Sequence, residues 1–100
     1  MAVVFTIYVG FDGPDGVETN RQTLFSLLSE SGINGYTVTE AIGTYDGKQE
    51  PSATVILISP CDDQAIELGL HAIEVARAYK KQAKQQEVWV SRRAEDLLVV

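Results

Sequence analysis

The chain has 100 residues, of which 45% are hydrophobic and three are proline, so it is long enough for one domain with one core and too apolar for disorder. Fourteen acidic residues against eight basic ones give a net charge of −6, which argues against a surface that holds nucleic acid by neutralising phosphates. The lone Cys61 excludes an internal disulfide and a multi-cysteine zinc site, so a reducing compartment, the cytoplasm, is expected.

The N-terminal run is apolar but short and has no basic lead, so it reads as a first strand and not as a signal peptide or a membrane span. Residues 3–11, rich in Val, Ile, Phe and Tyr, lead into Gly-Phe-Asp-Gly-Pro-Asp-Gly, a turn-rich loop. Thr19 with Gln22 three residues on predicts a capping box, Leu24, Phe25, Leu27 and Leu28 supply an apolar stripe, and Gly32 stands where a C-terminal cap belongs. That is a helix over 20–31. Alternation predicts a strand over 36–45, with Tyr36, Val38, Glu40 and Ile42 on one face and Thr37, Thr39, Ala41 and Gly43 on the other. Asp46-Gly47 is a favoured hairpin turn, which pairs this strand antiparallel with Ser52–Ser59. Pro60 and Asp62-Asp63 open a long helix whose apolar stripe runs from Ala65 to Tyr79, with Lys80, Lys81 and Lys84 at the end that favours cations. Glu87–Ser91 is a fourth strand carrying Trp89, and the closing Leu97–Val100 is too apolar for a freely solvated tail. With no repeat, linker or low-complexity segment, residues 1–100 form a single domain.

This order predicts an α+β fold of the ferredoxin-like βαββαβ type, a four-stranded antiparallel sheet with two helices on one face and strands one and three in the middle. The other face is left bare. Strand one puts Phe5, Ile7 and Val9 on one side and Val4 and Tyr8 on the other, while strand three divides Val55 and Leu57 from Ile56 and Ile58. Both faces therefore need cover. Each large apolar side chain removed from water gains about 1.5–3 kcal/mol, so the bare face predicts a homo-oligomer packed through its sheets.

The run Ser-Gly-Ile-Asn-Gly-Tyr-Thr-Val-Thr-Glu-Ala-Ile-Gly at 31–43 resembles the end of the first helix and the second strand of the nitrogen-regulatory PII signalling proteins. Val55 to Asp63 is similar to their third strand entering the second helix through a Pro-Asp step. A second resemblance, to an uncharacterised group of small bacterial domains of the same topology, takes in Tyr8-Val9-Gly10 and the stretch Tyr79–Val90. The PII resemblance implies a trimer that binds ATP, ADP and 2-oxoglutarate at subunit clefts and touches its targets with a long loop between strands two and three. This chain departs from that pattern twice. Only about six residues, Asp46–Pro51, join those strands, and Lys80–Gln86 reads as a helix end where a glycine-rich nucleotide loop would stand. The fold and the trimer carry over, with a trimer favoured over a dimer; nucleotide binding does not.

Several side chains are candidates for a site. Trp89 alternates with Val88 and Val90, so it faces away from their side of the sheet and, with Tyr8 on the neighbouring strand, lines a pocket or a subunit contact. Glu40 is a candidate acid or base if its strand face is buried, although a charge on an edge strand more often blocks pairing or joins an ion pair. Arg92 and Arg93, with Lys80, Lys81 and Lys84, form the one basic patch, where a phosphorylated or other small anionic metabolite could settle, although such charges are more often simply solvated. His71 has Glu67 and Glu74 within reach on its helix, but one helix makes an incomplete metal site, and no metal or cofactor is expected. Gly10, Gly13 and Gly16 around Asp12 and Asp15 read as turn chemistry, and Cys61 as inert.

No nucleophile, base and orienter stand together, so the sequence predicts a non-enzymatic, PII-like signalling module that binds a small metabolite or a protein partner where copies meet. Two alternatives remain. One is a cofactor-free enzyme of the dimeric ferredoxin-like kind, with Tyr8, Glu40, His71 or Trp89 around a cavity of at least ~300 Å³. The other is an acidic inhibitor of a host protein, with Glu18, Glu30, Asp46 and Glu50 on one face.

Overall fold

In the computed structural model, which describes residues 1–100 apart from the side chain of Tyr45, the apolar run Ala2–Gly10 forms β1 in the interior of a four-stranded sheet. The other elements are α1 (Val17–Glu30), β2 (Thr37–Tyr45), β3 (Lys48–Ser59), α2 (Asp62–Gln82) and β4 (Trp89–Glu95). The strand order is β2-β3-β1-β4 and every pairing is antiparallel, which is the ferredoxin-like plait.

Most boundaries fall within one or two residues of expectation, and the larger differences, at the start of α1, the start of β3 and the end of β4, each have a local reason. The first helix starts at Val17 with Gly16 at its N-cap and no side-chain cap, so Thr19 lies inside the first turn and the expected Thr19–Gln22 box does not form. Gly16 has φ 90°, a conformation that glycine adopts without a Cβ penalty. β3 begins at Lys48, which shrinks the connection from β2 to the two residues Asp46 and Gly47. Their φ values of 51° and 76° are the paired positive angles of a tight hairpin turn whose twist matches its strands. β4 continues to Glu95 because Arg92 to Glu95 find ladder partners along Phe5 to Ala2.

Val3, Phe5, Ile7 and Val9 of β1 and Ala53, Val55 and Leu57 of β3 face the helices, which answer with Leu24 and Leu28 from α1 and Ala72, Val75, Ala76 and Tyr79 from α2. Gly69 lets α2 approach β1 closely: a Cβ there would stand 2.9 Å from the Phe5 ring. The open face is less bare than its alternation suggests. Val4 is buried within the single chain, between Ile58 and Arg93 in register, whereas Tyr8, Ile58 and Trp89 stay exposed. Leu97 to Val100 are exposed as well. Among the described residues no helix is long and apolar enough to cross a membrane.

Candidate functional site

The sheet ends in a cleft at the C-terminal end of β1. The chain leaves β1 through Phe11, which is buried and donates its N–H to the Pro51 carbonyl over 2.9 Å. Asn20, also buried, donates its side-chain amide to the Phe11 carbonyl over 2.6 Å and ties the first turn of α1 to this loop. At the other end of the chain α2 stops at Gln82, Lys84 takes a positive φ, and Gln85 reaches back to the Asp12 carbonyl over 2.5 Å. Two distant connections, β1–α1 and α2–β4, thereby form one wall.

The cleft has a volume of about 520 Å³. Tyr8 and Trp89 lie directly opposite each other on β1 and β4, on the sheet face the helices leave open, and both line it. Trp89 Nε1 donates to the Glu87 carboxylate over 2.9 Å, which orients the indole. The β3 row contributes Glu50, Ser52 and Thr54 to the same space.

Gly10 is the pivot of the floor. A Cβ at Gly10 would lie 2.6 Å from Glu50 Oε1, so the missing side chain leaves the room that the carboxylate fills. On the helix side, the Tyr79 hydroxyl donates to the Gly10 carbonyl over 2.5 Å. Burial first, and the Glu50 carboxylate second, push the Tyr79 phenol up to about 12, because its ionised form would be both desolvated and repelled.

Three carboxylates, Asp12, Glu50 and Glu87, line the cleft against one lysine, Lys84. The Lys84 ammonium is 3.2 Å from Asp15, so part of its charge is already answered.

Of the residues singled out in the sequence, Tyr8 and Trp89 come together here. Glu40 does not join them: it stands on the helix-facing row of β2 opposite Ala53, half exposed, and accepts a 2.5 Å bond from Arg21, which also holds Glu18. That is the ion-pair alternative for an edge-strand charge. Arg92 and Arg93 fall on opposite faces of β4, opposite Phe5 and Val4 respectively, and Arg93 is bound to Glu95. The basic run therefore does not form one patch, since Lys84 is held by Asp15 at the other end of the strand.

His71 lines a second depression of about 440 Å³ beside Gly32 to Gly35, with its Nε2 3.7 Å from Glu67. Among the described residues no three His, Cys, Asp or Glu side chains converge as a metal site would need. Of the four acids named for an inhibitor, Glu18 and Glu30 sit towards opposite ends of the 14-residue α1, roughly 18 Å apart along its axis.

Sequence reasoning missed Gly10, Glu50, Glu87 and Tyr79 as neighbours. Only the alternation of β3 could have put Glu50 in the row of Ser52 and Thr54, and nothing local joins that row to Gly10.

No protein-family model matches the chain, and no curated protein sequence does. Solved structures do match. The PII protein of Arabidopsis thaliana bound to citrate superposes with a TM-score of 0.52 at 21% identity, over 89% of this chain and 74% of that one. A nitrogen regulatory PII-like protein from Thiomonas intermedia, bound to ADP, AMP and bicarbonate, gives 0.56 at 12% identity, over 98% of this chain and 96% of that one. The chain shares the ferredoxin-like plait of these PII-like proteins. A phage SAM lyase in its apo state has the same plait, with a TM-score of 0.67 at 17% identity over 91% of this chain and 78% of that one. At such identities the likeness is one of fold. Within this plait, the β2–β3 connection of the present chain is a two-residue turn, and Gly43 and Thr44 just before it also line the cleft.

Proposed function

We propose that the chain is a non-enzymatic, PII-like module of the cytoplasm that assembles with copies of itself and binds a small metabolite in the cleft beside Tyr8 and Trp89. One observation carries the reading: Trp89 and Tyr8, 67% and 44% exposed, stand side by side at the mouth of a 520 Å³ cleft on an open sheet face. Exposed aromatic pairs of this kind are favoured where a ligand or a second subunit completes the surface. Ile58 on the open face, and the exposed apolar residues Leu97–Val100, are further surface that self-association would cover. A trimer is favoured over a dimer on the likeness to PII proteins.

Sedimentation of the purified protein, together with thermal-shift measurements against nucleotides and small metabolites, tests this. The reading predicts a defined oligomer that Trp89→Ala weakens and at least one stabilising ligand. A monomer at high concentration with no ligand shift sinks it.

A second reading, a cofactor-free lyase, has its own observation. The cleft exceeds the ~300 Å³ of the smallest usual ligand pockets and includes two of the four side chains named for an enzyme, Tyr8 and Trp89. The phage SAM lyase whose fold is shared has also been solved with S-methyl-5′-thioadenosine. Chromatography after incubation with S-adenosylmethionine decides it: release of S-methyl-5′-thioadenosine supports the lyase, and unchanged substrate removes it.

A further inference from the structure

We infer that the cleft beside Trp89 and Tyr8 selects an organic cation carrying a flat ring over an anionic metabolite. This rests on the small-ligand reading above and names the chemistry of that same site.

The charge balance points one way. Asp12, Glu50 and Glu87 line the cleft, and the sole opposing charge, Lys84, is engaged by Asp15. A phosphate or carboxylate ligand entering here would meet three like charges, whereas a cation meets three counter-charges and releases none of the existing contacts. The two arginines expected to hold an anion are elsewhere: Arg92 is on the helix-side row of β4, and Arg93 is bound to Glu95.

The aromatic pair adds a second, independent preference. An indole ring attracts a cation to its face, and Trp89 is held with its N–H on the Glu87 carboxylate, which draws positive charge to the ring edge and leaves the face more negative. Tyr8, directly across the ladder, offers a second ring for a planar group to stack upon. Glu50 stands in the floor with its carboxylate in the space above Gly10 and is the fixed counter-charge.

Three stable adenosine ligands separate charge from shape. Sinefungin carries an ammonium group where S-adenosylhomocysteine has an uncharged thioether, and ADP carries only negative charge. Isothermal titration of the full chain is expected to rank sinefungin first by at least about tenfold over S-adenosylhomocysteine, with ADP weakest. Glu50→Gln, which keeps the shape of the side chain, is expected to collapse the preference for sinefungin while leaving S-adenosylhomocysteine binding within about twofold. Trp89→Leu is expected to weaken both adenosyl ligands, and unchanged thermal melting of each variant shows that folding is intact. Equal binding of sinefungin and S-adenosylhomocysteine, tight binding of ADP, or a preference that survives Glu50→Gln overturns the inference while the small-ligand reading stands. Binding of none of the three overturns the inference, and the metabolite screen described above then decides the small-ligand reading by itself.

Discussion

The Glu50 carboxylate occupies the space that a side chain at residue 10 would fill: a Cβ on Gly10 would stand 2.6 Å from Glu50 Oε1. The two residues are forty positions apart in the chain and meet because β1 and β3 pair with Gly10 opposite Ser52. The clash is with the far end of a flexible side chain, so Gly10→Ala is expected to swing Glu50 aside at a stability cost below about 1 kcal/mol. Sinefungin affinity should nevertheless fall, as in Glu50→Gln. Urea unfolding and calorimetry on one preparation read both effects; a large stability loss would show instead that the strand itself cannot accept the methyl.

Tyr79 makes the fold sensitive to alkali. Its folded-state value of about 12 lies above the ordinary 10.0, so the native state keeps the phenolic proton longer than the unfolded chain does. The stabilisation is therefore fully present below pH 10 and is lost as pH rises towards about 12. Tyr79→Phe removes the bond to the Gly10 carbonyl and is expected to cost about 1–3 kcal/mol near neutrality. Because the variant lacks the titrating group, its stability should fall less steeply than wild type between those pH values. Parallel slopes in urea titrations would rule out this assignment.

Gly69 is where α2 comes nearest to the sheet. Alanine is the better helix former by about 1 kcal/mol, yet its methyl would lie 2.9 Å from Phe5 Cζ and 3.0 Å from Cε1. Overpacking a filled core costs about 1–3 kcal/mol, so the contact wins and Gly69→Ala is expected to lower the melting temperature. A companion Phe5→Leu change should recover part of the loss if the ring is the obstacle.

Arg21 bridges Glu18 on its own helix and Glu40 on β2, and its guanidinium is held in the charged form chiefly by the Glu40 bond. The bridge is open to solvent and screened by salt. Glu40→Gln is therefore expected to lower the melting temperature slightly in dilute buffer and not at all in high salt. Ligand affinity should be unchanged, because Glu40 points to the helix-facing side of the sheet towards Arg21 and does not line the cleft. A change in affinity would return Glu40 to the list of site residues.

Much of this architecture was legible in the residues themselves. Alternation in Val3–Val9 and Val55–Ile58 assigned each side chain to a face, Asp46-Gly47 supplied the two positive φ angles of the hairpin, and the order of elements led to the plait. The edge strand β4 extends beyond its apolar part because Arg92 to Glu95, though polar, lie on a half-exposed edge that needs no apolar run to pair. Thr19 and Gln22 mimic a cap in the sequence, whereas the turn at Gly16 begins α1 at Val17.

Period and turn chemistry act over a few residues, so the sequence by itself determined the order of the elements, their faces and the placing of Trp89 and Tyr8 on neighbouring strands. Which charges share a cavity depends on strand register and on where loops return, and those are settled by packing between segments far apart in the chain. Tertiary structure alone therefore separated Arg92 from Arg93, gave Glu40 to Arg21, and brought Glu50, Gly10 and Tyr79 into a single stack beneath the cleft.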